Sequence, residues 1–367
     1  MKKLFFIFSV AALVFCAAFE SAAAPRRRNY RRARRAAPAA TPTAAASAPK
    51  PPPPILAAGR WSPEVLGAID AFIREKGIGS AAYDAKSPPA AVIVLSDCGL
   101  EHDLGEAVLR KMVERADFKF DDEFWRIFPI IHGRIPVRAA YENFFPLPVS
   151  VWREQGSYRQ YRKGFLKAYR DMCARQGRKE CRMWLSRLLR GFTREELASL
   201  AKTLIKEEIG GAFGPELVEA RPGDKDPVAI RTGLRVVPEM GDLVQKLSAH
   251  GFEVWLLGDE PREFAAAVSE EFGLPGERTM GAQVDFSSQT LKATGDVLDP
   301  FPFRGGKAST VSSALGRPPV FVIGAAAADI ELLAFGAGLR VVLDRGDEAL
   351  GRIARDRGWI LQPAFAP

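Results

Sequence analysis

Outside its first 50 residues the chain has no charge excess. It carries 52 Lys and Arg against 44 Asp and Glu, but ten of the bases and a single acid, Glu20, fall in positions 1–50, leaving 42 basic and 43 acidic side chains for the rest. A body so balanced has no broad cationic face, and nothing in it indicates nucleic-acid binding. Long hydrophobic runs are equally scarce. The run from Leu4 to Phe19 spans 16 residues, short of the roughly 20 that cross a bilayer. Large apolar side chains are almost missing between residues 25 and 54, and no internal repeat is present.

What is there begins with a leader pattern. Lys2 and Lys3 precede the apolar run, and Ser21, Ala22, Ala23 and Ala24 follow it, so residues 1–24 read as a secretory signal peptide. Cleavage after Ala23 fits better than after Ala24, which would put Pro25 first. The mature protein is then expected in the periplasm or outside the cell. An uncleaved membrane anchor is the alternative, favoured by the seven arginines from Arg26 to Arg35 that outnumber the lysines before the run. Residues 25–58, Arg-rich and then Ala/Pro-rich, predict a disordered tether. Arg26 to Arg35 are either a solvated linker or a grip on an anionic envelope surface such as lipid headgroups.

At 367 residues and 47% apolar content, the chain can form one large domain with an insert or two domains. Ser62 and Pro63 open a helix carrying Val65, Leu66, Ile69 and Phe72 at helical spacing, and Gly77 ends it. Ala90 to Leu95 is a continuous apolar run of strand length, suited to a parallel strand covered on both faces. Similar runs occur at Glu253 to Leu257, Pro319 to Ile323 and Leu339 to Leu343. Helical patterns lie at Pro238 to His250, Pro261 to Phe272, Lys307 to Leu315 and Glu348 to Arg357. This alternation predicts an α/β fold with a doubly wound parallel sheet.

About 150 residues separate the first strand from the second, too many for one crossover. An inserted, mostly helical domain is therefore expected over 116–230, with core segments at 59–115 and 231–367. Its helices are predicted from Ser157 to about Arg175, around Arg182 to Leu189, and after a capping box at Thr193 and Glu196. Its many aromatic residues read as core before they read as a cage for a quaternary ammonium ligand. Cys173 and Cys181, eight residues apart in a polar helical region, are open to pairing or to remaining free thiols. Cys16 leaves with the leader.

Ligands in open α/β sheets bind beyond the carboxyl ends of the strands. Four places follow from that: Leu95 to Leu100 (LSDCGL) with His102 and Asp103 just after it, Val254 to Pro261 (VWLLGDEP), Gly305 to Lys307 (GGK), and Gly324 to Leu333 (GAAAADIELL). At these residues, and at RTGLRVVPEMGDLVQKL (Arg231 to Leu247) and the closing GWILQPAF, the chain resembles secreted phosphoserine-phosphatase-like members of the haloacid dehalogenase superfamily, over roughly Trp61 to Phe365. The resemblance implies a Rossmann-like hydrolase core with a cap, and phosphomonoester hydrolysis through a DxDGT motif. There the first aspartate is the nucleophile and the second the acid and base. In this chain those positions fall on Ser96 and Cys98; Gly99 matches the motif, and Leu100 replaces its threonine. The phosphate-binding hydroxyl position falls on Gly258 and the metal-binding aspartate of the fourth motif on Ala325. Lys307, which implies a phosphate contact, and Asp329 are kept.

Mg²⁺ needs hard carboxylate oxygens, which serine, cysteine and alanine do not supply. The expected protein is thus a pseudoenzyme without cofactor. It would act in the envelope as a binding or scaffold protein, holding an anionic or phosphate-bearing ligand in the cleft between core and cap near Lys307, Gly99 and Asp329. The alternative is an active phosphomonoesterase with Mg²⁺ on a rearranged set, Asp97, Asp259 and Asp329, with Glu260 nearby. Against it, Asp97 turns inward only if the apolar strand slips register. A third reading makes the arginine tail the functional part and the domain a spacer. Ser96 has no evident base beside it, His102 reads as a surface loop residue, and Cys98 as a small buried thiol.

Overall fold

The computed structural model describes residues 52–365. The expected leader, the arginine cluster from Arg26 to Arg35 and the tether up to residue 51 lie outside the described residues. Among the described residues, no helix is long and apolar enough to cross a membrane.

Helix α1 (Pro63–Lys76) starts where the sequence puts it, with the Val65 N–H donating to the Ser62 hydroxyl, and buries Val65, Ile69 and Ile73. Strand β1 (Ala90–Val94) is buried at all five positions, as a continuous apolar run requires. The chain then enters a long insertion between two short strands, β2 (Leu100–Glu101) and β5 (Arg235–Val236), which pair antiparallel with Leu100 opposite Val236. Inside it come α2 (Leu104–Arg115), α3 (Asp122–Ile127), α4 (Arg134–Phe144), α5 (Gly156–Gln176), α6 (Arg178–Arg187), α7 (Arg194–Gly210) and a hairpin of β3 (Gly214–Val218) and β4 (Val228–Thr232). The capping box of Thr193 and Glu196 opens α7 as predicted.

After the insertion follow α8 (Pro238–Ala249), β6 (Glu253–Pro261), α9 (Arg262–Val268), β7 (Thr279–Phe286) and β8 (Ala293–Leu298). The chain ends with α10 (Gly305–Leu315), β9 (Phe321–Gly324), α11 (Ile330–Phe335), β10 (Leu339–Asp344), α12 (Glu348–Asp356) and β11 (Ile360–Pro363). The seven-stranded sheet has the order β11-β10-β9-β1-β6-β7-β8. Only its β7–β8 pair is antiparallel; the pairs β1–β6, β1–β9, β9–β10, β10–β11 and β6–β7 are parallel. The fold class is therefore the expected α/β one, a doubly wound, mostly parallel sheet with a mostly helical insertion. From β1 the chain builds outward through β6, β7 and β8, then returns to the other side of β1, so strand order reverses there. That reversal opens a crevice at the carboxyl ends of β1, β6 and β9.

Aromatic rings fill the insertion. Phe118 stacks on Phe165 at 5.1 Å and Phe128 meets Trp184 edge-on at 5.2 Å, with Phe124, Phe144 and Tyr161 fully buried. They are core, not a cage. Helix α6 starts at Arg178, earlier than expected, because Gly177 at φ 93° both breaks α5 and starts the next helix. Across that break Cys173 and Cys181 form a disulfide, which closes the question the spacing left open.

Candidate functional site: two cap arginines among the carboxylates of the switch point

Strand β1 ends at Val94, and the next five residues turn sharply. Ser96 stays extended (ψ 132°), while Asp97 takes left-handed geometry at φ 62°, a conformation that aspartate tolerates better than most residues. The register argument against Asp97 fails for that reason: strand alternation no longer applies beyond Val94, and Asp97 faces the cleft with the apolar run intact. Ser96 points inward instead, with a buried hydroxyl that has no partner. Cys98 is fully buried and its thiol pKa is raised by that burial, so it is an inert packing residue. The Gly99 carbonyl accepts the N–H of Val237 and so ties down the chain returning from the insertion.

β6 runs past its apolar part and carries Gly258, Asp259 and Glu260 within an irregular extension whose register to β7 shifts. Asp259 is 3% exposed, and two guanidinium groups from α6 reach it. Arg182 Nε lies 3.3 Å from Asp259 Oδ1, and Arg178 Nε lies 4.0 Å from Oδ2. The same arginines hold Asp103, the N-cap of α2: Arg178 Nη2 at 3.1 Å and Arg182 in a short ion pair. Arg178 also stands 3.5 Å from Asp97, and Arg182 Nη1 donates to the Tyr169 hydroxyl at 2.8 Å. Burial alone would push the Asp259 pKa up, but Arg182, Lys307 and Arg178 outweigh it and hold the carboxyl below its usual range. Arg182 needs Gly105 beneath it, where a Cβ would come within 2.7 Å of Nη1.

Glu260 is the odd member. It is completely buried, neither carboxylate oxygen has a hydrogen-bond partner, and burial followed by the neighbouring Asp259 raises its pKa to about 7. It does not reach the cleft.

Lys307 and Asp329 meet, but in a closed pair. Lys307 Nζ donates to Asp329 Oδ1 at 2.6 Å, while Oδ2 accepts the N–H groups of Ala325 and Ala326 at 2.9 Å each. Lys307 is 4% exposed. Burial works against its charge and Asp329 and Asp259 restore it, so its pKa is raised. A lysine matched in this way is not a free hook for an anion.

In front of these groups opens a cavity of ≈ 260 Å³, lined among others by Asp97, Asp103, Glu106, Arg178, Arg182 and Arg231. Ser96, Gly99, Gly258, Lys307 and Asp329 are not in that lining. His102 also borders it; it is no free surface residue, since its ring stacks on Phe213 at 4.1 Å and Nδ1 faces the carbonyls of Thr232 and Gly233. A larger cavity of ≈ 620 Å³ between α2, α5 and the β3–β4 hairpin is walled among others by Arg110, Lys111, Arg162, Glu114, Glu208 and Glu216, which pair with one another.

The residues present do not fit a divalent cation. Asp97, Asp103 and Asp259 already share two arginines, Asp329 is tied to Lys307, and Ser96, Cys98 and Ala325 add no charge. Among the described residues no three His, Cys, Asp or Glu side chains converge in a metal-holding group. Sequence reasoning missed Arg178 and Arg182. Their signal was present in RKECR, two arginines four apart on one helix face beside a half-cystine.

No protein-family model matches the sequence, and no curated protein matches it. Among solved structures, a conserved protein of unknown function from Anaerococcus prevotii DSM 20548 superposes with TM-score 0.71 at 19% identity, over 84% of this chain and 94% of that one. The two share a fold. A protein of unknown function from Bordetella pertussis Tohama I aligns at TM-score 0.49 and 15% identity, over 75% and 98%. A probable phosphoserine phosphatase from Vibrio cholerae aligns at TM-score 0.37 and 12% identity, over 74% and 60%.

Proposed function

We propose that this chain is a catalytically degenerate protein of the haloacid dehalogenase type, exported to the envelope, where it binds a small ligand or acts as a scaffold instead of hydrolysing phosphomonoesters. One observation carries the reading: the guanidinium groups of Arg178 and Arg182 stand among Asp97, Asp103 and Asp259. Phosphoryl transfer needs a nucleophile and charge stabilisation at the equatorial oxygens. Here Asp97, a carboxylate that lines the cleft, lies against an arginine, and Lys307 is spent on Asp329. Arginines on a cap helix that bind core carboxylates also hold the cap down, which suits a protein that closes on a ligand.

The test is hydrolysis of an aryl phosphate by the full chain with Mg²⁺ and with chelator, beside Asp97→Asn. The expected result is no metal-dependent rate above buffer. A rate abolished by chelator and by Asp97→Asn would establish the alternative, a phosphomonoesterase on a rearranged carboxylate set, and end the proposal.

A further inference from the structure

The insertion leaves one of its faces apolar and uncovered. Of the eleven large hydrophobic residues exposed among those described, six lie between positions 130 and 149: Ile130, Ile131, Ile135, Phe145, Leu147 and Val149. Exposed hydrophobic residues scattered singly are ordinary, and such a concentration is not. All six belong to α4 or to the segments that enter and leave it. The helix buries Val137, Ala140 and Phe144 and turns Ile135 outward, one turn after Ile131 on the same side. Beyond its end the residues Phe145 to Val149, FPLPV, are all exposed and carry no charge, a run that an ordinary water-facing surface avoids.

The charges nearby do not contest that surface. Glu142 is the one charged residue among the exposed positions from 130 to 150, and Arg138 Nε donates to it at 2.7 Å while Nη2 donates to Asp122 at 3.0 Å. The backbone of the FPLPV run is largely satisfied as well. Pro146 and Pro148 have no N–H, the N–H groups of Phe145 and Leu147 donate to the carbonyls of Tyr141 and Phe144, and the Pro148 carbonyl accepts the N–H of Val151. The Leu147 carbonyl accepts the indole N–H of Trp152 at 2.9 Å. Unsatisfied peptide groups are the main cost of entering lipid, so apolar side chains on a backbone that asks little of water suit a bilayer interface.

The rest of the chain supplies a second signal of the matching kind. Arg26 to Arg35 hold seven arginines and no acid, and a basic segment joined to an apolar one gives stable attachment to anionic lipid where one alone is reversible. Residues 36–51 can span at most roughly 55 Å, at about 3.5 Å each, so a bilayer gripped by those arginines lies within reach of the domain. We propose that the insertion docks on an anionic lipid surface through Ile130, Ile131, Ile135 and the FPLPV run, with α4 lying along the interface. The assignment rests on the reading of the chain as an envelope protein and adds the surface by which its folded part meets the membrane.

Hydrogen exchange of the full chain tests it, with and without vesicles of mixed phosphatidylcholine and phosphatidylglycerol, beside flotation of the same mixtures. Vesicles should slow exchange about fivefold or more over 130–135 and 145–149 and leave β1 and β6 unchanged. The triple variant Ile131→Ser, Ile135→Ser, Val149→Ser, at residues 75%, 69% and 71% exposed, should fold as the wild type does and lose that vesicle-dependent slowing. Chains that float with the vesicles but show no slowing over 130–149 overturn the docking and leave residues 1–51 as the membrane contact. Chains that neither float nor slow also overturn it, while the proposed binding function, which the hydrolysis assay tests, stands. Slowing of the same segments without vesicles as protein concentration rises, with sedimentation as a dimer, overturns it in favour of a second copy of the chain on this face.

Discussion

A Cβ on Gly258 would stand 2.0 Å from Oε1 of Glu260. The buried Glu260 carboxylate lies over the bare α-carbon two residues before it and fills the space that any other side chain at 258 would occupy. Neither of its oxygens has a partner there.

Glu260 should make stability fall as pH rises. Its folded pKa is raised to about 7, first by burial and then by Asp259, against about 4.3 in an unfolded chain. Below the lower value both states hold the proton. Between the two values the unfolded state releases it while the folded state keeps it, so stability is lost progressively and the loss is complete above the folded pKa. Urea denaturation of wild type and Glu260→Gln from pH 4 to 8 should give matching curves at the acid end and an advantage for the glutamine variant of about 3 kcal/mol at most above pH 7. A difference that does not change with pH would refute the shift.

Gly258→Ser should be destabilising by about 1–3 kcal/mol through overpacking against Glu260. The pair Gly258→Ser with Glu260→Ala removes the clash, so the double variant should be more stable than the sum of the singles predicts. Additive effects in the double-mutant cycle would contradict the geometry.

How much of this was legible beforehand follows from burial. β1, β6, β9 and β10 are covered on both faces and announce themselves as apolar runs. β8 did not, because its exposure alternates at the antiparallel edge with Thr294 and Asp296 turned outward; β7 has a glycine inside and Gln283 exposed, and β11 is four residues ending in proline. The positions after the apolar strands could be located, since the fold dictates them. The partners that occupy them could not. Arg182 meets Asp103 across 79 residues of sequence, and nothing local specifies such a contact. The turn of Asp97 toward the cleft escaped because it depends on one left-handed residue just past the strand.

Arg182→Ala should be among the costliest single changes. It would leave Asp103 and Asp259 facing each other without their buried counter-charge, a loss of about 3–5 kcal/mol. Adding Asp259→Asn should recover part of it, whereas Arg178→Ala, on a side chain 42% exposed, should cost less. Thermal denaturation of the three variants checks the order, and equal losses for both arginines would contradict it.

Reduction of Cys173–Cys181 should lower stability by about 2 kcal/mol, the value for closing a short loop. The disulfide joins the last turn of α5 to the helix that carries both site arginines, so the loss should come with a looser α6. Hydrogen exchange with and without reductant, and in Cys173→Ser, should show faster exchange at Arg178 to Leu185 than in the sheet. Uniform protection in both forms would detach the disulfide from the site.

The two-residue ladder of Leu100 with Val236 and Glu101 with Arg235 places the departure and the return of the insertion side by side. The chain leaves and rejoins the sheet through that one pair, while the pairs of Arg182 with Asp259 and of Arg194 with Glu263 and the bridge of Thr193 to Lys292 fasten the insertion elsewhere. Because departure and return lie side by side, a lineage could exchange the whole insertion for another without rethreading a single strand of the sheet that holds it.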